Sequence, residues 1–199
     1  MGKFQTIVVD PPWRYRVDMG KPAKPHGRRW AEDVYPTMSN IEIMALPINS
    51  LAAENCHLYL WVTNPRLYGE RQNVKPQITP HDIIEAWGFT YKTCLTWVKT
   101  QIGLGSYFRG RTEHVLFAVR GDLRIEPSNR KANTIITEED GVAFIAPRGA
   151  GGHSSKPEAF YDLIQAISPP PYLEVFARRQ RLGWETWGNE SFMPEEAQQ

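Results

Sequence analysis

The run Phe4-Gln5-Thr6-Ile7-Val8-Val9 is β-branched and apolar, and it stops at Asp10-Pro11-Pro12. Proline fixes φ and has no N–H to give to a β-ladder, so a buried strand cannot continue through two of them. The residue before a proline is kept out of the helical region, so Asp10 and Pro11 are both held extended. A buried strand that ends in a stiff acidic bend is therefore the first element.

Further runs repeat the pattern. Leu58-Tyr59-Leu60-Trp61-Val62 ends at Asn64-Pro65, two more strands are expected around 90–99 and 113–120, a short one near 143–146, and a final one over 172–177. Helices fall between them: Ser39 caps one over 41–46, Thr79 or Pro80 opens another over 81–87 that Gly88 closes, and Pro157 begins a third. In the last, Phe160, Leu163, Ile164 and Ile167 make one apolar stripe. Alternating strands and helices predict an α/β fold with a mostly parallel sheet and helices on both faces. Residues 1–190 are expected to form one domain and 191–199 a frayed tail.

Composition narrows the class. A chain of 199 residues with 41% hydrophobic residues buries an adequate core, and a formal net charge of +1 excludes a polycation or an acidic disordered tail. Cys56 and Cys94 stand far apart without a CxxC, which fits a reducing cytoplasmic setting. The five histidines have no metal-ligand spacing, so no metal is expected. No apolar run is long enough to span a membrane, and the start at Met1-Gly2-Lys3 has no apolar signal segment. The loose myristoylation pattern there conflicts with entry into a strand at Phe4. Gly151-Gly152-His153-Ser154-Ser155-Lys156 imitates a phosphate-binding loop but has no glycine before its lysine.

In open α/β sheets ligands sit beyond the carboxyl ends of strands. There, a carboxylate at Asp10 beside the carbonyl of Pro11 can accept both hydrogens of one planar amine, and Trp13 can stack on the ring that bears it. An aromatic amine is a poor nucleophile because its lone pair is delocalised. Two acceptors aimed at its hydrogens favour the pyramidal nitrogen and the positive charge of attack. The plainer alternative makes Asp10 a helix cap and Trp13 core.

Asp10-Pro11-Pro12-Trp13 after an apolar strand resembles the catalytic motif of amino-methyltransferases that use S-adenosylmethionine, and its Trp form resembles the MT-A70 family of adenine-N6 methyltransferases. Further matches follow in family order: residues 60–64, Trp97-Val98-Lys99, Gly103-Leu104-Gly105 with Arg109 and Glu113-His114, Ser155-Lys156-Pro157, residues 174–178 and Gly188-Asn189-Glu190. The resemblance implies a Rossmann-like methyltransferase fold in permuted order, with the catalytic strand before the methyl-donor strand at Tyr172. It implies that Lys156 meets the donor's carboxylate, Arg178 its ribose, and Asn189 with Glu190 its ribose and adenine side. Gln180 is a further ribose candidate, although Arg179-Gln180-Arg181 is more basic than the family's usual His-Asn pair.

Between Arg14 and Arg29 six cations face one acid, Asp18, and this loop leaves the catalytic bend directly. Cations gathered on one face would give a neutral protein a phosphate-binding side. Arg14, Tyr15, Trp30, Tyr107, Arg109 and Glu113 are the substrate-binding candidates, with an extruded adenine expected between Trp13 and Tyr107 or Trp30. DNA is expected as the polymer in preference to RNA because the chain has no added RNA-binding module. The alternatives are the same chemistry on RNA, or a catalytically silent nucleic-acid-binding subunit. Whether it acts as a homodimer or with a partner subunit is left open.

Overall fold

A computed structural model describes residues 3–14, 36–69, 77–100, 107–125, 145–146 and 156–187. Its strands are β1 (Phe4–Val9), β2 (Ala52–Thr63), β3 (Thr90–Lys99), β4 (Thr112–Arg120), β5 (Ile145–Ala146), β6 (Tyr172–Val175) and β7 (Trp184–Trp187). They form one sheet in the order β5-β3-β4-β2-β1-β6-β7. The pairs β1 with β2, β1 with β6, β3 with β5 and β6 with β7 are parallel, whereas β4 runs antiparallel to both β2 and β3. The sheet is thus mostly parallel, as expected, with one reversed strand. Residues 100–111 alone join β3 to β4, a connection at the short limit for the crossover that a parallel return needs.

Both faces are covered. Helices α1 (Asn40–Met44), α2 (Ile48–Leu51) and α3 (Pro80–Ala86) bury Ile43, Ile48 and Ile83 against Ile7, Leu58 and Leu60. Helix α4 (Glu158–Ile167) buries Phe160, Tyr161 and Ile164 against Val8, Tyr59 and Trp61 on the other face. Neighbouring residues of β1 and β2 thus enter opposite cores, the period of two that a sheet covered on both faces requires. Phe4 lies with Ile7 rather than across from it because the β1–β2 register shifts between Phe4 and Thr6.

The helix boundaries follow from local chemistry. Ser39 and Glu42 form a capping box on α1, and Thr79 and Asp82 form another on α3, where Pro80 takes the first helical position. Gly88, at φ +81°, closes α3, with its N–H bonded to the Glu85 carbonyl and the Phe89 N–H to that of Ile84.

The sequence expectation of a last strand at 172–177 is corrected in two ways. β6 ends at Val175, and a further edge strand, β7, follows it. Phe176 ends β6 by adopting φ +66°, a left-handed backbone that a bulky residue rarely accepts, while the N–H groups of Phe176 and Ala177 bond to the carbonyl of Trp187. Among the described residues no helix is long and apolar enough to cross a membrane, and no group of His, Cys, Asp and Glu is gathered as metal ligands would be.

Candidate active site

β1 lies between β2 on one side and β6 on the other, so the chain departs from it in both directions across the sheet. Such a switch in strand order opens a crevice at the carboxyl ends of the strands. Asp10 stands there, its N–H bonded to the Val175 carbonyl at 3.3 Å.

The bend after Asp10 differs from the sequence expectation in two respects. Its carbonyls are not idle: that of Pro11 accepts from the Trp13 N–H and that of Pro12 from the Met38 N–H, both at 2.8 Å. With no N–H on residues 11 and 12, the next available donor folds back onto the first carbonyl, although a carbonyl oxygen keeps a second lone pair for another partner. Trp13 is the second correction. Its side chain lies in the core at 3% exposure, with the indole N–H donating to the Trp61 carbonyl at 3.0 Å, so it supports the bend from beneath and offers no face to a base. A large ring with one polar tip is best satisfied in this way.

Arg14 is likewise used internally. Its guanidinium bonds to Glu42 at 3.0 Å and its N–H to the Met38 carbonyl at 2.9 Å, so 12–14 and 36–38 are zipped together. Tyr15, Trp30 and the rest of the basic stretch lie outside the described residues, as do the glycine loops at 103–105 and 149–152, the proposed ligands Asn189 and Glu190, and the tail 191–199.

Four charged side chains alternate in sign across the crevice. The Lys156 ammonium, just before α4, lies 2.9 Å from Asp10 and 3.2 Å from Glu113, at the start of β4. Lys99, the last residue of β3, bonds to the other oxygen of Glu113. The two ammonium groups rest over indole rings, Lys156 at 4.8 Å from the Trp61 centroid and Lys99 at 5.0 Å from that of Trp97. Glu113 and Lys156, predicted as a substrate contact and a donor contact, are therefore joined in one network with Asp10, and Lys156 retains one N–H for a ligand.

Electrostatics separates the two acids. Burial pushes the Asp10 carboxyl above the usual aspartate range and is only partly offset by Lys156. Burial also opposes ionisation of Glu113, but Lys156 and Lys99 together hold that carboxyl below the usual glutamate range. For Lys156 burial favours the neutral amine, and Asp10 and Glu113 outweigh it, raising its pKa. The two carboxyls shift in opposite directions because Glu113 faces two ammonium groups where Asp10 shares one.

Glu174 in β6 adds a residue that sequence reasoning passed over. It is 6% exposed; one oxygen accepts from the Tyr161 hydroxyl at 2.5 Å, and the other is buried with no partner. Its signal was available, as the one acid inside the apolar run Tyr172-Leu173-Glu174-Val175. Arg178 and Gln180 are exposed just beyond, whereas Arg179 and Arg181 pair with Glu158 in the first turn of α4. At the far side of the crevice Tyr107 is 95% exposed and Arg109 is also at the surface.

The sequence profile of the MT-A70 family matches residues 4–190. The chain belongs to the MT-A70 family. Among its MT-A70 relatives, the Type II methyltransferase M.MunI of Mycoplasma sp is 30% identical over 203 residues, spanning 94% of this chain and 78% of its own. The N(6)-adenine-specific methyltransferase METTL4 of Homo sapiens is 29% identical over 195 residues, covering 94% of this chain and 37% of the human protein. The N6-methyladenosine RNA methyltransferase MTA1 of Pyricularia oryzae is 28% identical over 197 residues, covering 94% of this chain and 46% of the fungal protein. This chain thus spans less than half the length of the latter two.

Proposed function

We propose that this chain transfers a methyl group from S-adenosylmethionine to the exocyclic N6 of adenine in nucleic acid, with DNA the expected polymer. The observation that carries the reading is Asp10, a carboxylate at the strand-order switch held by Lys156, with Glu174 of the neighbouring β6 close enough to feel its charge and keeping one buried oxygen without a partner. The residues suit the donor: a buried acceptor without a hydrogen answers hydroxyl or ammonium groups, and the remaining N–H of Lys156 answers a carboxylate. Arg178, Gln180, Asn189 and Glu190 complete the donor site in this proposal.

When bound, the donor supplies an electrophilic methyl on a sulfonium, which the amine nitrogen takes up. Asp10 and the second lone pair of Pro11 accept the hydrogens of N6 and favour its pyramidal form. They stabilise the charge that develops during attack. Asp10 need not be a strong base, because the methylated ammonium-like nitrogen is acidic enough to lose its proton afterwards. Trp13 holds the bend from the core. Stacking on the base then falls to exposed rings such as Tyr107.

The test incubates the chain with methyl-labelled donor and single- or double-stranded DNA or RNA, followed by nucleoside analysis. Label in N6-methyladenine of DNA is expected, and label in RNA alone moves the reading to its alternative. N4-methylcytosine overturns the base assignment. No donor binding by calorimetry, together with no transfer to any polymer, overturns the enzyme reading in favour of a silent nucleic-acid-binding subunit.

A further inference from the structure

Lys99 ends the motif Trp97-Val98-Lys99, yet nothing in the proposed chemistry uses it. Its side chain is 15% exposed, which is little for a lysine facing phosphate in solvent, and its ammonium bonds to Glu113 over the Trp97 ring. Glu113 in turn lies 3.2 Å from the ammonium that also holds Asp10.

We propose that Lys99 is a positioning residue for methyl transfer, acting through Glu113 and Lys156 to keep Asp10 available to the substrate amine. The inference rests on the methyltransferase reading. A buried ammonium given wholly to Asp10 would occupy the acceptor that the amine needs. Glu113 limits this by engaging the same ammonium at 3.2 Å, against 2.9 Å for Asp10, and it attracts that ammonium fully only as a carboxylate. With Lys99 in place the four groups sum to zero charge. Without it the buried set carries one uncompensated negative charge, which a proton relieves. Glu113 is the group that loses one of its two ammonium partners and accepts that proton, and the attraction of Lys156 is then left to Asp10 alone.

The charges bearing on this set come from every neighbouring element: Lys99 from β3, Lys156 before α4 and Asp10 after β1 act on Glu113. Arg178 beyond β6 acts on Asp10, and Glu174 of β6 acts with Asp10 and Lys156. Tyr161 and Arg181 stand beside Glu174. His114 of β4 also feels the Glu113 charge, but among the described residues only Lys99 forms an ion pair with Glu113 without an ammonium shared with Asp10, so its removal alters the balance from one side.

The experiment compares the full chain with Lys99→Met, which keeps an apolar stem over Trp97, and Lys99→Arg, which keeps the charge. The carboxyl of Glu113 is titrated by 13C NMR without donor or substrate, its signal identified by its loss in Glu113→Gln, and kcat is measured against pH. Lys99→Met is expected to raise the Glu113 midpoint and the acid limb of kcat by about one pH unit or more, a ten-fold effect near the limb. The donor KM is expected to hold within about two-fold, and Lys99→Arg to restore both pH profiles.

A Glu113 midpoint unmoved in Lys99→Met overturns the proposal, as does a loss confined to the nucleic-acid KM, which would mark a phosphate contact. If Lys99→Met does not fold, a wild-type Glu113 midpoint at or above the ordinary glutamate range overturns it equally. Methylation by wild type with full activity in Lys99→Met overturns the proposal alone. A wild type that methylates no polymer overturns the methyltransferase reading and the role of Lys99 with it.

Discussion

Asp10 and Trp13 belong to one tetrapeptide and face opposite environments. Asp10 keeps 20% of its side chain exposed in the crevice, and Trp13 is sealed in the core. Their substitutions therefore separate chemistry from stability. Asp10→Ala is expected to abolish methyl transfer in the nucleoside assay while calorimetry shows donor binding largely intact; near-normal turnover would sink its proposed role. Trp13→Phe removes the indole donor and leaves the buried Trp61 carbonyl short of a partner, at a cost of about 1–3 kcal/mol in urea unfolding. Its affinity for an adenine-bearing oligonucleotide should not change, because the ring is inaccessible to a base; a selective loss of affinity would restore the stacking role. The tetrapeptide was legible as a rigid acidic bend, since proline geometry is local. Trp13 stayed open between a stacking face and the core, and the core was chosen only by β2 lying alongside.

At the level of elements, the strands that sequence revealed are the ones whose apolar residues alone demand burial. β7 escaped notice because Trp184-Glu185-Thr186-Trp187 is short and half polar. It is held by parallel pairing with β6 and by stacking of Trp184 on Tyr172, 4.7 Å apart and 22° from coplanar. In the middle of the sheet, His57 of β2 ties three elements together. Its Nδ1 meets the Ser168 hydroxyl after α4 at 2.8 Å, and its Nε2 meets the Leu123 carbonyl beyond β4 at 3.1 Å. Burial lowers the His57 pKa, so the fold keeps the imidazole neutral where an unfolded chain protonates it. Its contribution is fully present above the unfolded value of about 6.5 and is lost as pH falls through the lowered folded value. The drop in urea midpoint from pH 7 to pH 5 should therefore be smaller in His57→Gln than in wild type. His114, also lowered by burial, contributes to both chains alike. Equal drops would show that His57 is not the linked group.

For the whole molecule, a formal net charge of +1 conceals an uneven distribution. Lys99 and Lys156 are cancelled inside the crevice by Asp10 and Glu113, Arg14 pairs with Glu42, and Arg179 and Arg181 share Glu158. The two lysines are buried in the crevice, whereas Arg109 lies at the surface where a phosphate can reach it. Arg109→Ala should weaken nucleic-acid binding by similar factors across sequences and reduce the slope of log K against log salt by about one. Fluorescence anisotropy over a salt series checks this, and an unchanged slope would remove Arg109 from the phosphate contacts.

By itself the sequence determined where the apolar strands run, that the first ends in a proline-locked acid, and the ordered motifs that match the MT-A70 family. These are short-range properties of backbone geometry and side-chain polarity. Only the tertiary structure decided that β4 runs backwards, that Trp13 turns inward, and that Lys99, Glu113, Lys156 and Asp10 share one charge network. Their proximity comes from sheet order, and ion pairs between distant parts of a chain have no signature until the strands that carry them are packed side by side.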